Sequence, residues 1–214
     1  MSTPGDRLAA VFRDIDAANA EDPRTIEVGG IWRPRETVYS EQMSDRLARM
    51  YPDASELLQI AARAQHIRRW DIPRTRYPEG RIGYNDWRKA CREHHAELVG
   101  VILDRHGYSK GEIGHVAKLI KKEQLKKDRE SQALENVVDV VFVEHYMEDF
   151  LSKYPHYDED KRVDIVGKIL RKMSPKGHTE VLALALKPQI RALIDKAMAH
   201  EEKALAKLAK VAID

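Results

Sequence analysis

Residues 61–95 read AARAQHIRRWDIPRTRYPEGRIGYNDWRKACREHH. Residues 61–70 carry the end of an amphipathic helix that closes on His66, Arg68, Arg69 and Trp70. Residues 71–84 are broken by Pro73, Pro78, Gly80 and Gly83, which interrupt regular structure. Asn85 is a good N-cap and opens a further helix bearing Trp87, Arg88 and the pair His94–His95. This helix–loop–helix reading sets the class of the chain, because the apolar period of about 3.6 residues on either side of the loop continues nearly everywhere.

On the N-terminal side, Leu8, Val11, Phe12 and Ile15 mark a helix over 5–20, which Pro23 ends. Residues 21–35 contain Gly29, Gly30 and Pro34 and read as a loop with a short extended piece at 25–28. A helix over 36–51 carries Tyr39, Met43, Leu47 and Met50, and Asp53 or Ser55 caps the one that runs to Trp70. On the other side, the helix from Asn85 ends at His106 with Gly107 beyond it. Ser109 and Glu112 form a capping box for the next helix, which has the basic tail 121–127. The segment 128–152 is the most apolar and reads as central. Helices follow over 159–173, from Thr179, and from Gln189 to about Ala212, with Ser174–Gly177 as a turn. The expectation is an all-α protein: a single compact domain over 1–214 with eight or nine helices. Its long C-terminal helix, 189–214, is a candidate for packing on another copy of the chain.

The bulk properties fit this class. At 214 residues, 43% hydrophobic and 34% charged, the chain can bury a core under a charge-rich surface. The net charge of +2 is too small for general polyanion binding, but its distribution is uneven. Residues 63–92 hold nine Arg and Lys against Asp71, Glu79 and Asp86, so the remainder is net negative. Local charge of this kind suits a small anionic ligand. One cysteine, Cys91, cannot form an internal disulfide, and the chain has neither a signal pattern nor an apolar run of membrane length. A cytoplasmic protein with no membrane partner is expected.

The arginines are the stronger chemical signal. Arg69, Arg74, Arg76, Arg81 and Arg88 lie in or beside a proline-restricted loop, and guanidinium forks match phosphate and carboxylate groups. Tyr84 and Trp87 interleave with them and offer stacking faces; Lys122 and Lys126 add charge from a later segment. The ordinary alternative is a set of surface arginines paired with nearby acids. His66 and one of His94 and His95 are candidate metal ligands with Asp128, because borderline divalent ions accept mixed imidazole and carboxylate shells. The alternative there is partly buried histidines bonded to carbonyls. Glu130 and Glu135 are candidate catalytic acids, and Glu135 and Asp139 fall on one face of an apolar helix where each needs a partner. Asp128 also reads simply as an N-cap.

Residues 171–177, RKMSPKG, superficially resemble the KMSKS loop of class I aminoacyl-tRNA synthetases. The parallel sheet and second His/Gly motif of those enzymes are missing, so that assignment is set aside. The chain also lacks GxxxxGK[ST], GxSxG, GxGxxG and paired CxxC motifs, which argues against P-loop, serine-elbow, Rossmann and zinc-ribbon proteins.

The stretch QHIRRWDIPRTRYPEGRIGYNDWR resembles the family of domain of unknown function 4202, as do residues 15–19 (IDAAN), 21–23 (EDP) and the spaced residues Leu125, Lys126, Asp128, Glu130, Gln132, Leu134 and Glu135. Members are all-helical and sometimes mislabelled glutamyl-tRNA synthetases, and the resemblance brings no established activity. Asn136 stands where the family pattern commonly has aspartate. A fainter likeness is to the HD metal phosphohydrolases, with His66, His95 and a late acid as ligands, although Ala96 replaces the aspartate that names them. That likeness implies a divalent ion (Mn, Fe, Zn, Ni or Mg) and hydrolysis of a phosphorylated or nucleotide-like small molecule. The alternative expectation is a non-catalytic module that binds a nucleotide, RNA or an acidic partner through the basic loop 68–92.

Overall fold

The structure, a computed structural model, describes residues 4–213. They form ten α-helices and one β-hairpin, so the all-α expectation holds. The chain divides into two compact units, 1–123 and 124–214.

The first unit begins with α1 (Pro4–Ala20), whose Val11 and Ile15 are fully buried. Strands β1 (Thr25–Val28) and β2 (Ile31–Pro34) follow as an antiparallel hairpin. The extended piece at 25–28 was expected; its partner was not. Gly29 and Gly30 form the two-residue turn with φ of +59° and +83°, a conformation that side chains disfavour. Helix α2 (Arg35–Met50) buries Met43, Leu47 and Met50.

Helix α3 (Glu56–Arg63) is capped by the Ser55 hydroxyl, which accepts from the Leu58 N–H. It stops well short of Trp70. From Ala64 onward the chain tightens into three-residue turns, with Ile67 N–H on Ala64 O and Arg69 N–H on His66 O. Arg68 is left-handed at φ 49°, and its N–H donates to Asn19 Oδ1 on α1. A partner from α1 thus replaces the next helical bond, and His66 lies on a turn instead of a helix.

Helix α4 (Gly80–Arg105) begins five residues before the expected Asn85. Gly83 makes this start possible: a Cβ there would lie 2.0 Å from the Pro78 carbonyl oxygen. The first turn of α4 therefore folds directly against the loop, and Arg81 and Tyr84 belong to the helix. Gly107 ends α4 at φ +75°, and α5 (Lys110–Lys121) starts at the expected Ser109–Glu112 capping box. The basic tail is not helical: Lys122, Gln124 and Lys126 all have positive φ. Fully buried Ile60, Ile67, Leu103, Leu119 and Ile120 join the core of this unit, each worth about 1.5–3 kcal/mol of burial.

The second unit is built on α6 (Arg129–Val141), which a π-helical turn over Phe142–Tyr146 joins to α7 (Met147–Lys153). Then come α8 (Glu159–Leu170), α9 (Pro175–Ala183) and α10 (Pro188–Ala209). Helix α9 starts four residues before Thr179 because Pro175 occupies a first-turn position that needs no N–H donor. The α10 stripe of Ile190, Leu193, Ile194, Ala197 and Leu205 is buried within this unit, where α10 packs along α8. Residues 131–137 of α6 are all buried, including Gln132, Glu135 and Asn136. Among the described residues, no helix is long and apolar enough to cross a membrane.

Candidate functional site

The first unit gathers an unusual set of buried polar groups, starting from Asp22. This carboxylate is buried between α1 and the hairpin. It accepts the Arg24 N–H and Nε–H, and its Oδ2 accepts the Glu36 N–H at 3.1 Å, serving the start of α2 where Pro34 offers no side-chain cap. Arg24 Nη2 then donates to Glu36 Oε1 at 2.7 Å. The other Glu36 oxygen, Oε2, lies 3.3 Å from His66 Nδ1. Burial pushes the Glu36 carboxyl up, opposed by Arg69, Arg24 and Arg35.

His66 stacks on Tyr39 with ring centroids 4.0 Å apart and planes 13° from parallel. Its ring pKa is held well below the ordinary histidine value, first by burial and then by Arg69, Lys122, Arg35 and Arg24. About a quarter of the side chain still meets solvent. The imidazole is therefore neutral near pH 7, and the Glu36 contact favours the tautomer with its proton on Nδ1.

His95 on α4 lies 5.8 Å from His66, ring centre to ring centre, and is 1% exposed. Among the described residues, neither of its ring nitrogens has a hydrogen-bond partner. The Gln65 backbone acts on the ring in the opposite sense and favours its charged form. Burial, then His66, Arg69 and His94, hold this ring well below its ordinary value too. His94 turns elsewhere, with Nε2 3.2 Å from Asp71 Oδ2. Asp71 also binds Arg68, which reaches Glu21 as well. The adjacent histidines thus diverge, and His95 is the one beside His66.

Arg69 carries this field toward the aromatic residues. It makes no ion pair among the described residues; its guanidinium lies 4.6 Å from the centre of the Trp87 ring. Trp87 is fixed by donation from Nε1 to Ile72 O at 2.8 Å, and Tyr84 sits 5.7 Å from it. Arg88 lies 5.8 Å from the Tyr84 ring centre.

Several sequence candidates have other employment. Arg74 donates to the carbonyls of Tyr77 and Pro78, clamping its own loop, and Arg76 reaches the Asp71 carbonyl at 3.5 Å. Arg81 is exposed on the first turn of α4. Lys122 belongs to the first unit as the left-handed cap of α5. Lys126, Asp128, Glu130 and Glu135 belong to the second unit. Lys126 donates to Arg171 O, and Asp128 is the N-cap of α6, accepting from Ser131 N–H. Glu135 takes its partner from Lys172, whose ammonium lies 2.9 Å from Glu135 and 2.6 Å from Asp139. Burial works against that ammonium, but the two carboxylates outweigh it and raise its pKa.

The KMS-like turn is explained by the same network. Gln132 donates to Lys172 O, Asn136 donates to Ser174 Oγ, and Ser174 N–H returns a bond to Asn136 Oδ1. Asn136 both donates and accepts here, and a carboxylate could not donate. The turn is a clamp onto α6.

Whether the histidine pair suits a divalent ion depends on its neighbours. Glu36 is engaged by Arg24, His94 faces away, and Asp128 caps α6 in the second unit. Among the described residues, no three His, Cys, Asp or Glu side chains are grouped to hold a metal ion. Two imidazoles alone fall short of the three or four protein ligands of a typical resident site. Sequence reading missed Glu36, Asp22, Arg24 and Arg35. The EDP stretch, with an acid preceding a proline, is the trace that Asp22 leaves.

No curated protein and no solved structure matches the chain. A family model does, over residues 9–194, under the description "Domain of unknown function (DUF4202)". That match spans most of both units, and the chain belongs to this family.

Proposed function

We propose that the first unit binds a phosphate-bearing small molecule at the His66 cluster. The observation that carries this reading is His95, a buried imidazole with both nitrogens unbonded beside a second neutral histidine. An unpartnered buried donor costs roughly 1–3 kcal/mol, so its retention calls for a ligand or a water that uses it. The surroundings select the ligand's sign. Arg69, Lys122, Arg35 and Arg24 all act on His66, against the carboxylates of Glu36 and of Asp22, which pair with Arg24. A phosphate accepts from neutral imidazole N–H and from guanidinium, and it gains from that field. A cytoplasmic setting fits the free, buried Cys91.

Titration calorimetry of the full chain with inorganic phosphate and ribose 5-phosphate tests this. We expect binding in the range of roughly micromolar to 1 mM, weakened tenfold or more in both Arg69→Ala and His95→Leu. Absence of heat with either compound at concentrations well above that range would sink the reading.

A second reading, hydrolysis of the bound phosphate ester, is favoured by the His66–Glu36 contact. A carboxylate that orients an imidazole leaves the lone pair on Nε2, the arrangement a general base needs. Phosphate release from a panel of phosphomonoesters, lost in His66→Asn, supports it. A metal-dependent version returns only if protein purified without chelator carries a stoichiometric ion that His66→Ala loses.

A further inference from the structure

We infer that the phosphate-bearing ligand is a free nucleotide, its base lying against Tyr84 and its phosphate held by Arg69 and His95. This rests on the phosphate reading above and narrows its ligand class. From Arg69 through Trp87 to Tyr84 and Arg88 the geometry is a run of rings and guanidiniums. Arg69 acts electrostatically on His66, His95 and Glu36 and lies over Trp87 at 4.6 Å. Trp87 is 5.7 Å from Tyr84, and Arg88 stands 5.8 Å from the Tyr84 ring.

The two ends of the run differ in the way a nucleotide's two ends differ. The histidine end is buried and polar, with unsatisfied nitrogens. At the other end, Tyr84 is aromatic and 46% exposed. Between them, Trp87 is anchored by donation from its ring N–H to Ile72 O.

Exposed aromatic side chains near a basic group are what base stacking uses, since every base offers a π-face. A sugar phosphate alone would leave Tyr84 and Arg88 without a role. A long nucleic acid is disfavoured by charge: the excess is confined to residues 63–92 while the rest of the chain is net negative. Tyr84, Trp87 and Arg88 lie three and four residues apart on α4, so one helix face presents them together.

The experiment compares adenosine monophosphate, ribose 5-phosphate and a short single-stranded oligoribonucleotide by titration calorimetry on the full chain. We expect adenosine monophosphate to bind at least tenfold more tightly than ribose 5-phosphate. In Tyr84→Ala that advantage should vanish while ribose 5-phosphate binding stays within twofold; Tyr84→Phe should keep it. Equal affinities for the two compounds in the unaltered protein would overturn the inference and leave phosphate binding standing. So would an advantage that survives Tyr84→Ala, or tighter binding of the oligoribonucleotide than of the mononucleotide. If no compound binds, the phosphate reading fails as well.

Discussion

At the scale of single residues, His95 sets stability against function. A buried imidazole with two unbonded nitrogens is a poor choice for a core. Replacing it by a similar apolar group removes the unsatisfied atoms, so we expect His95→Leu to raise the unfolding free energy by about 1 kcal/mol while phosphate binding weakens tenfold or more. Urea denaturation and calorimetry on the same sample check both halves. A variant that is destabilised and still binds would mean that His95 only fills space. That one of His94 and His95 could approach His66 was legible in the sequence, because both segments flank one loop, but which of the two does so was not. Glu36 was not legible: an acid in the first turn of a helix is ordinarily read as a complement to the helix dipole. Only the fold reveals that it is buried between Arg24 and His66. Arg74 was legible as a restrained arginine, but its restraint comes from bonds to its own loop.

At the scale of elements, the boundaries missed are those where tertiary contact overrides a local signal. Asn85 is a good cap, yet α4 begins at Gly80 because Gly83 lets the helix close on the Pro78 carbonyl. The fold class was legible because the apolar period persists over each helix. The hairpin was only half read, since IEV-GG-IWR is too short to show alternation, although a Gly-Gly pair is a recognised two-residue turn signal. The Gly83 contact gives a direct test. Gly83→Ala sets a methyl 2.0 Å from a backbone oxygen, which no side-chain rotation relieves. We expect a loss of about 1–3 kcal/mol, together with faster amide exchange across 71–84. It should also weaken ligand binding, because Trp87 depends on the Ile72 carbonyl in that loop. Unchanged stability would mean that the first turn of α4 can unwind without cost.

At the scale of the molecule, the two units differ in their buried titratable groups. In the second unit, Glu135 and Asp139 meet Lys172, so the charges are paired where they are buried. In the first, Asp22 and Glu36 are likewise paired with Arg24, but the buried His95 and the three-quarters-buried His66 carry no charge, and this makes the unit sensitive to acid. Both rings are held well below the ordinary histidine value of about 6.5 when folded. As pH falls through about 6.5, the unfolded chain takes up protons at both histidines and the folded chain does not. Stability therefore falls on acidification, by up to about 1.4 kcal/mol per pH unit for each ring once the pH is below the unfolded value. Glu36, with its raised carboxyl, acts in the opposite sense nearer the carboxylate range, so the slope is best read between about pH 5.5 and 7. We expect the urea midpoint to drop across that window, and His95→Leu to reduce the slope by about half. Hydrogen exchange at the acid end should rise in peptides from residues 4–123 and change little in those from 124–213. A slope identical in His95→Leu would show that the ring takes up its proton in the folded state, and that the absence of charge beside His66 does not govern the acid response.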